Sequence, residues 1–232
     1  MALFHKKEQQ PATGVQLHNS PGELAVSLIK TLCICNVICV VIVFSMGGLM
    51  AQGTWGILLT GIICLLVTGG TLYAQSWGMG DKDANLIQFG RTTYDPYKPL
   101  KMGLLALAPG LVSDILLLFS KITGLFDFLW LFRLMNGPVW PLINLIHPYS
   151  VAPQEAMPEM VIMEGTQYEE VIEATAATPG CSWPKIILMI LLPLLYIVFI
   201  WIGYELGRRR ISLGTRLVYE NKNAKGKKGA KK

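Results

Sequence analysis

Asp114 is the residue in this sequence with the most chemistry to offer. It lies in the apolar run Leu111–Ser120, thirteen residues past Lys101, roughly 20 Å along a helix and so deep in a hydrocarbon layer about 30 Å thick. A carboxylate at that depth costs several kcal/mol unless it is paired, hydrated or protonated, and such groups are functional candidates. Pro109-Gly110 comes one turn earlier. Proline removes a helical hydrogen bond and frees a carbonyl there. A loosened helix with a buried acid suits the binding of a cation or the relay of a proton. The plainer alternative is an ion pair with Arg133 or Lys121 near the edge of the layer, which would only fix packing. No second intramembrane charge is evident, which weighs against a relay. Asn36 is a second intramembrane polar candidate, able to hydrogen-bond across helices for about 1 kcal/mol.

The segment Gly80–Lys101 contains Asp81-x-Asp83, a carboxylate pair of the kind that holds a divalent cation. The same aspartates could instead cap a short helix over Ala84–Phe89. Tyr94, Tyr97, Lys98 and Lys101 form an aromatic and basic stripe, with Arg91 just before it. Interfacial anchoring, lipid-headgroup binding and docking of a soluble partner are all consistent with it. Soft ligands recur at Met157, Met160 and Met163 and at Cys33, Cys35 and Cys39. Thioethers and thiolates favour Cu(I), but ten methionines in an apolar chain make such spacing unremarkable, and no metal site or cofactor is expected. Catalytic signatures are missing: no H-E-x-x-H, G-x-S-x-G or G-x-x-x-x-G-K-[ST] occurs. His5, His18 and His147 are scattered, so no catalytic residue is assigned.

The elements that must position these residues are membrane helices. Of 232 residues, 52% are hydrophobic and only 15% charged, where soluble domains carry about a quarter charged. Four apolar stretches, Thr31–Met50, Gly56–Gln75, Met102–Ser120 and Ile186–Tyr204, are each long enough to cross a bilayer. That excludes an ordinary soluble enzyme and a nucleic-acid-binding domain. Four of the five cysteines lie inside these stretches, which excludes a disulfide-framed secreted module. Cys181 alone is expected to face outside, without a partner in the chain. The expectation is an all-α membrane protein with four transmembrane helices and one interfacial or re-entrant helix. That extra helix belongs to Lys121–His147, whose core Leu125–Met135 is too short to span. Phe126, Phe128, Trp130, Phe132 and Trp140 would sit at headgroup depth. No inverted pair of broken helices is evident.

Charge sets the expected orientation. Gly207–Lys232 holds ten of the twenty basic residues against one acid, Glu220, whereas Val151–Pro184 has six glutamates and no Lys or Arg. Basic segments stay inside, so both termini are expected in the cytoplasm. The parts are then a cytoplasmic segment 1–30, a transmembrane region 31–206 with a cytoplasmic loop 77–101 and an outer acidic loop 149–184, and a basic tail 207–232. In the acidic loop, Met160–Met163 suggests a strand and Tyr168–Ala177 an amphipathic helix. Arg208, Arg209 and Arg210 would face anionic lipid. The pattern points to a non-enzymatic accessory or scaffold subunit, partnered by other membrane subunits or by copies of itself, with no nucleic acid expected. The alternative is a small transporter or channel subunit in which Asp114 responds to a cation or proton. A bacterial plasma membrane is the expected location.

Overall fold

The computed structural model describes residues 20–124, 126–153, 160–164, 168–172 and 180–211. Helix α1, Pro21–Ser45, starts where the sequence can satisfy its first amides. The Ser20 hydroxyl accepts from the Glu23 amide at 3.2 Å, and the Glu23 carboxylate accepts from the Ser20 amide at 3.4 Å. This reciprocal cap, followed by Pro21, fixes the helix start. A single turn, α2 (Gly47–Met50), leads to Gly53, whose φ of 106° only glycine adopts easily, and then to α3 (Thr54–Gln88). With 35 residues, α3 is about 52 Å long and overshoots a bilayer core. The first part of the expected loop 77–101, through Gln88, is therefore the end of this helix. Beyond the hydrocarbon a helix needs no apolar residues, so the loss of hydropathy does not mark its end.

Two further spans pass through short 3-10 turns. Helix α4 (Lys98–Leu107) runs through Ala108–Gly110 into α5 (Leu111–Thr123). Helix α8 (Trp183–Leu191) runs through Leu192–Leu194 into α9 (Leu195–Arg208). Each turn holds a proline, Pro109 or Pro193, which lacks the amide an α-helical bond requires. Spans 21–45, 54–88, 98–123 and 183–208 are long and apolar enough to cross a membrane, which is compatible with a multi-pass membrane protein. Their outward faces agree: Val37, Leu66 and Ile115 are 64%, 69% and 65% exposed, an apolar surface that water would not tolerate over such an area.

Between α5 and α8 lie α6 (Leu129–Met135), a 3-10 turn (Gly137–Val139) and α7 (Trp140–Ile146). This broken element is tucked against the bundle more than expected. Phe132, expected at headgroup depth, is buried with Leu129, Val139 and Ile143, whereas Phe126 and Trp130 are exposed. Trp140 packs edge-on against Phe44, with ring centroids 5.6 Å apart. In the connecting loop, β1 (Met160–Glu164) pairs antiparallel with β2 (Tyr168–Ile172). The expected helix from Tyr168 is thus a strand over its first five residues, zipped to the strand suggested at Met160–Met163. Residues 173–177 lie outside the described residues.

The ends of the bundle are defined by contacts. Gln75 Nε2 donates to Ser27 Oγ at 2.8 Å, and Trp77 Nε1 donates to the Ile211 carbonyl at 3.0 Å. The start of α1, the end of α3, the start of α4 and the end of α9 therefore share one end, which carries Lys98 and Arg208–Arg210 and is called here the basic end. Helices α3 and α9 meet there almost backbone to backbone. A Cβ on Gly203 would stand 2.6 Å from the Tyr73 carbonyl oxygen, and one on Gly207 or Gly80 would overlap the Trp77 or Tyr204 carbonyl. Small residues four apart permit such approach between membrane helices. Gly207→Leu is expected to cost about 1–3 kcal/mol by overpacking. Thermal unfolding in mild detergent measures this, with Gly78→Leu, whose added side chain meets open space, expected to leave the midpoint unchanged. Equal shifts for the two variants would contradict the close contact.

Candidate functional site

Asp114 lines a cavity of about 550 Å³ between the candidate spans. Its walls come from α1, from both sides of the α4–α5 turn, from the α6–α7 break and from the α8–α9 turn. The two proline-bearing turns thus face one space, an arrangement not evident in the sequence. Asp114 Oδ1 is buried without a hydrogen-bond partner, and no ion pair to Asp114 is present among the described residues. The expected pairing with Arg133 or Lys121 is not formed. Arg133 instead donates from Nη2 to the His147 carbonyl at 2.8 Å. Burial pulls the Arg133 guanidinium down from its ordinary value, and the Asp127 carboxylate opposes that.

The other polar groups at the cavity are built in as braces. Asn36 Oδ1 accepts from the Gly137 amide at 2.6 Å, and its Nδ2 donates to the Leu134 carbonyl at 2.9 Å. One side chain on α1 thereby satisfies both sides of the α6–α7 break. Gly137 is needed there, because a Cβ would lie 2.8 Å from Asn36 Oδ1 and 2.9 Å from Val40 Cγ2. Asn136 Nδ2 donates to the Phe132 carbonyl at 3.0 Å and to Ser113 Oγ at 3.3 Å, joining the break to α5 next to Asp114. Tyr196 also lines the cavity; it is 4% exposed, and its hydroxyl is buried without a partner. Of the cavity's polar groups, the sequence reading singled out Asp114 and Asn36 but not Asn136 or Tyr196, which carry no local signature.

A second polar centre closes the basic end. Asp83 is 2% exposed, and its Oδ2 accepts from Lys98 Nζ at 2.6 Å and from the Tyr204 hydroxyl. Asp83 Oδ1 is buried without a hydrogen-bond partner. Three spans, α3, α4 and α9, are tied at this point. Asp81 and Asp83 do not form a cation site or a helix cap, because both lie within continuous α3 and two residues apart on a helix point to different sides. Asp81 turns to Arg210 at 3.6 Å. Lys98, expected in an interfacial stripe, is buried instead. Tyr94 lies beneath the Arg208 guanidinium, 4.4 Å from ring centroid to carbon, while Tyr97 and Arg91 are exposed. The Lys101 ammonium and the Tyr97 amide hold the Asp95 carboxyl below its usual range.

Arg208, Arg209 and Arg210 were expected to face lipid, but all three are engaged within the chain. Arg208 and Arg209 bind Glu205 at 2.6 and 2.8 Å, and Arg210 reaches Asn85 and Gln88 at the end of α3. Residues 212–232 of the basic tail lie outside the described residues. Cys181 is 1% exposed, and this burial pushes its thiol up. Met157 lies outside the described residues. Met160 and Met163 lie in β1. Among the described residues no group of three or more His, Cys, Asp or Glu side chains is placed to hold a metal.

No family model, no curated protein and no solved structure matches this chain, so its function must be argued from this geometry. For the basic end the geometry gives a numerical expectation. Replacing Asp83 by Leu removes the carboxylate from the buried Lys98 ammonium and should cost about 3–5 kcal/mol. Asp83→Leu combined with Lys98→Met should cost clearly less than the sum of the single changes. A double-mutant cycle on thermal unfolding measures the difference, and strict additivity would show that the pair is not formed.

Proposed function

We propose that this chain is a small non-enzymatic transporter or channel subunit whose working site is the cavity at Asp114. The observation that carries the reading is a carboxylate oxygen buried without a partner inside a candidate span. In hydrocarbon such a group is costly, and a side chain kept only for packing would be expected to have its pair. The setting supports the reading. Both proline turns reach the cavity, and non-helical backbone at membrane depth is tolerated where it is buried in protein or lines a cavity. The walls carry no His, Lys, Arg or second carboxylate, so Asp114 has no charged partner there.

By the positive-inside rule the basic end faces the cytoplasm. Asp114 is nine residues before Thr123, about 13 Å of helix, which puts it in the outer half of the membrane. The basic tail then meets anionic lipid on the cytoplasmic leaflet. Other membrane subunits or further copies of the chain are the partners this reading allows.

Purified protein in liposomes tests the proposal through proton and monovalent-cation flux. Asp114→Asn is expected to lower flux about tenfold or more, which corresponds to roughly 1.4 kcal/mol, while thermal unfolding stays at or above that of the native chain. A native chain with no flux, or an Asp114→Asn variant that changes stability alone, would overturn the transport reading in favour of an accessory subunit.

A further inference from the structure

The cavity's own chemistry narrows what it would take. Its wall is mostly aliphatic, and Asp114 is the single formally charged group in it. A divalent metal ion is poorly served there. Calcium takes six to eight oxygen ligands and magnesium demands a near-complete octahedron, whereas the wall offers one carboxylate and few other oxygens, and Asn36 Oδ1 already accepts from the Gly137 amide. An anion would meet a carboxylate and no cation. A neutral apolar molecule would leave Asp114 Oδ1 unpaired. The combination of one carboxylate, the unpartnered Tyr196 hydroxyl and a large apolar wall matches a molecule with one positive charge and an apolar body.

The rim shows where such a molecule would enter. Val37, Leu104, Leu111 and Leu194 border the cavity and are all exposed on the apolar surface of the spans. The cavity therefore opens sideways, within the hydrocarbon zone, between α1, the α4–α5 turn and the α8–α9 turn. Gly110, at the α4–α5 turn, has nothing within 4 Å of a built Cβ, so the wall beside Asp114 is open there. A volume of about 550 Å³ is in the range of sites for drug-sized ligands.

We propose that the Asp114 cavity binds a monocationic amphiphile, an organic ammonium with an apolar body, that enters laterally from the lipid phase. This rests on the Asp114 reading above and adds the ligand class to it. The positive nitrogen lies against the Asp114 carboxylate, near the carbonyls loosened at the proline turn. The apolar body lies along Leu104, Leu107, Ile190 and Leu194. Binding gives a half-buried carboxylate the charge partner that the chain does not supply, the differential interaction that a ligand needs to be held there.

The test uses the full chain in nanodiscs of zwitterionic phosphatidylcholine, with ethidium as the cationic probe and fluorescence anisotropy as the readout. Saturable binding near one ethidium per chain is expected, displaced by dodecylammonium and not by dodecanol at equal concentration. Asp114→Asn should weaken binding at least tenfold, Asp114→Glu should retain part of it, and Gly110→Leu should weaken it by narrowing the cavity. Equal binding by the native and Asp114→Asn chains, or displacement by dodecanol as effective as by dodecylammonium, would overturn the ligand class. Absence of saturable ethidium binding would also overturn it. If the liposome flux still depends on Asp114 in that case, the site stands and takes a proton or an inorganic cation. If the flux fails as well, both readings fall.

Discussion

The close approach of α3 and α9 at Gly80, Gly203 and Gly207 is the constraint on which the rest of the arrangement depends. Inside a bilayer apolar side chains gain nothing by leaving lipid for protein, so helices associate through tight packing and a few polar contacts. Removing three side chains lets two backbones touch, and that contact brings Tyr204 onto Asp83. Lys98, at the start of α4, then reaches the same carboxylate. The two ends of the connection 89–97 are thereby held together, and the third span is anchored to the first pair. Among the described residues no ion pair ties the spans at the other end. There α4–α5 and α8–α9 pass through their proline turns and leave a space instead of a contact.

The two intramembrane-side aspartates show how environment separates roles. Asp83 lies at the basic end, nearly inaccessible to solvent, with an ammonium and a phenol on one oxygen. Breaking such a pair costs several kcal/mol, yet its net contribution is small because both groups gave up water to form it. Its effect is geometric, fixing which helices meet and at what height. Asp114 likewise has one buried oxygen without a partner, but no cation among the described residues pairs with its carboxylate. Around it Asn36, Asn136 and Ser113 are bonded to backbone or to each other. The unsatisfied polar groups left at the cavity are Asp114 Oδ1 and the Tyr196 hydroxyl. A wall braced in this way binds at low reorganisation cost, because the protein has already been ordered by folding.

The four spans were legible in the sequence because apolar length is a direct consequence of bilayer thickness. Pro109 and Asp114 were legible for the same reason, as exceptions within an otherwise apolar run. The network at Asp83 was not. Tyr204 lies 121 residues away in sequence, and a buried lysine has no local pattern that separates it from an interfacial one. Helix α3 was cut short in the sequence reading because charge replaces hydropathy at Asp81. The backbone there is helical all the same, held by its own hydrogen bonds and by Trp77, Asn85 and Gln88 contacting the end of α9 and the residues just past it. The Gly203 and Gly207 pair was overlooked because it lies at the end of a span, where glycine also marks helix stops. Pairing partners decided the case of Tyr168–Ile172: a five-residue stretch has no helix strength of its own, and a facing strand supplies its hydrogen bonds.

The central claim is that the unpaired carboxylate of Asp114 is the group that meets a ligand. Isotope-edited infrared difference spectroscopy on the chain in nanodiscs observes that carboxyl directly, with and without saturating ethidium. The account predicts a ligand-induced change in the carboxyl absorption that is present in the native chain and missing in Asp114→Asn. A native spectrum in which no aspartate carboxyl band responds to ligand, or a response that persists in the variant, would contradict it.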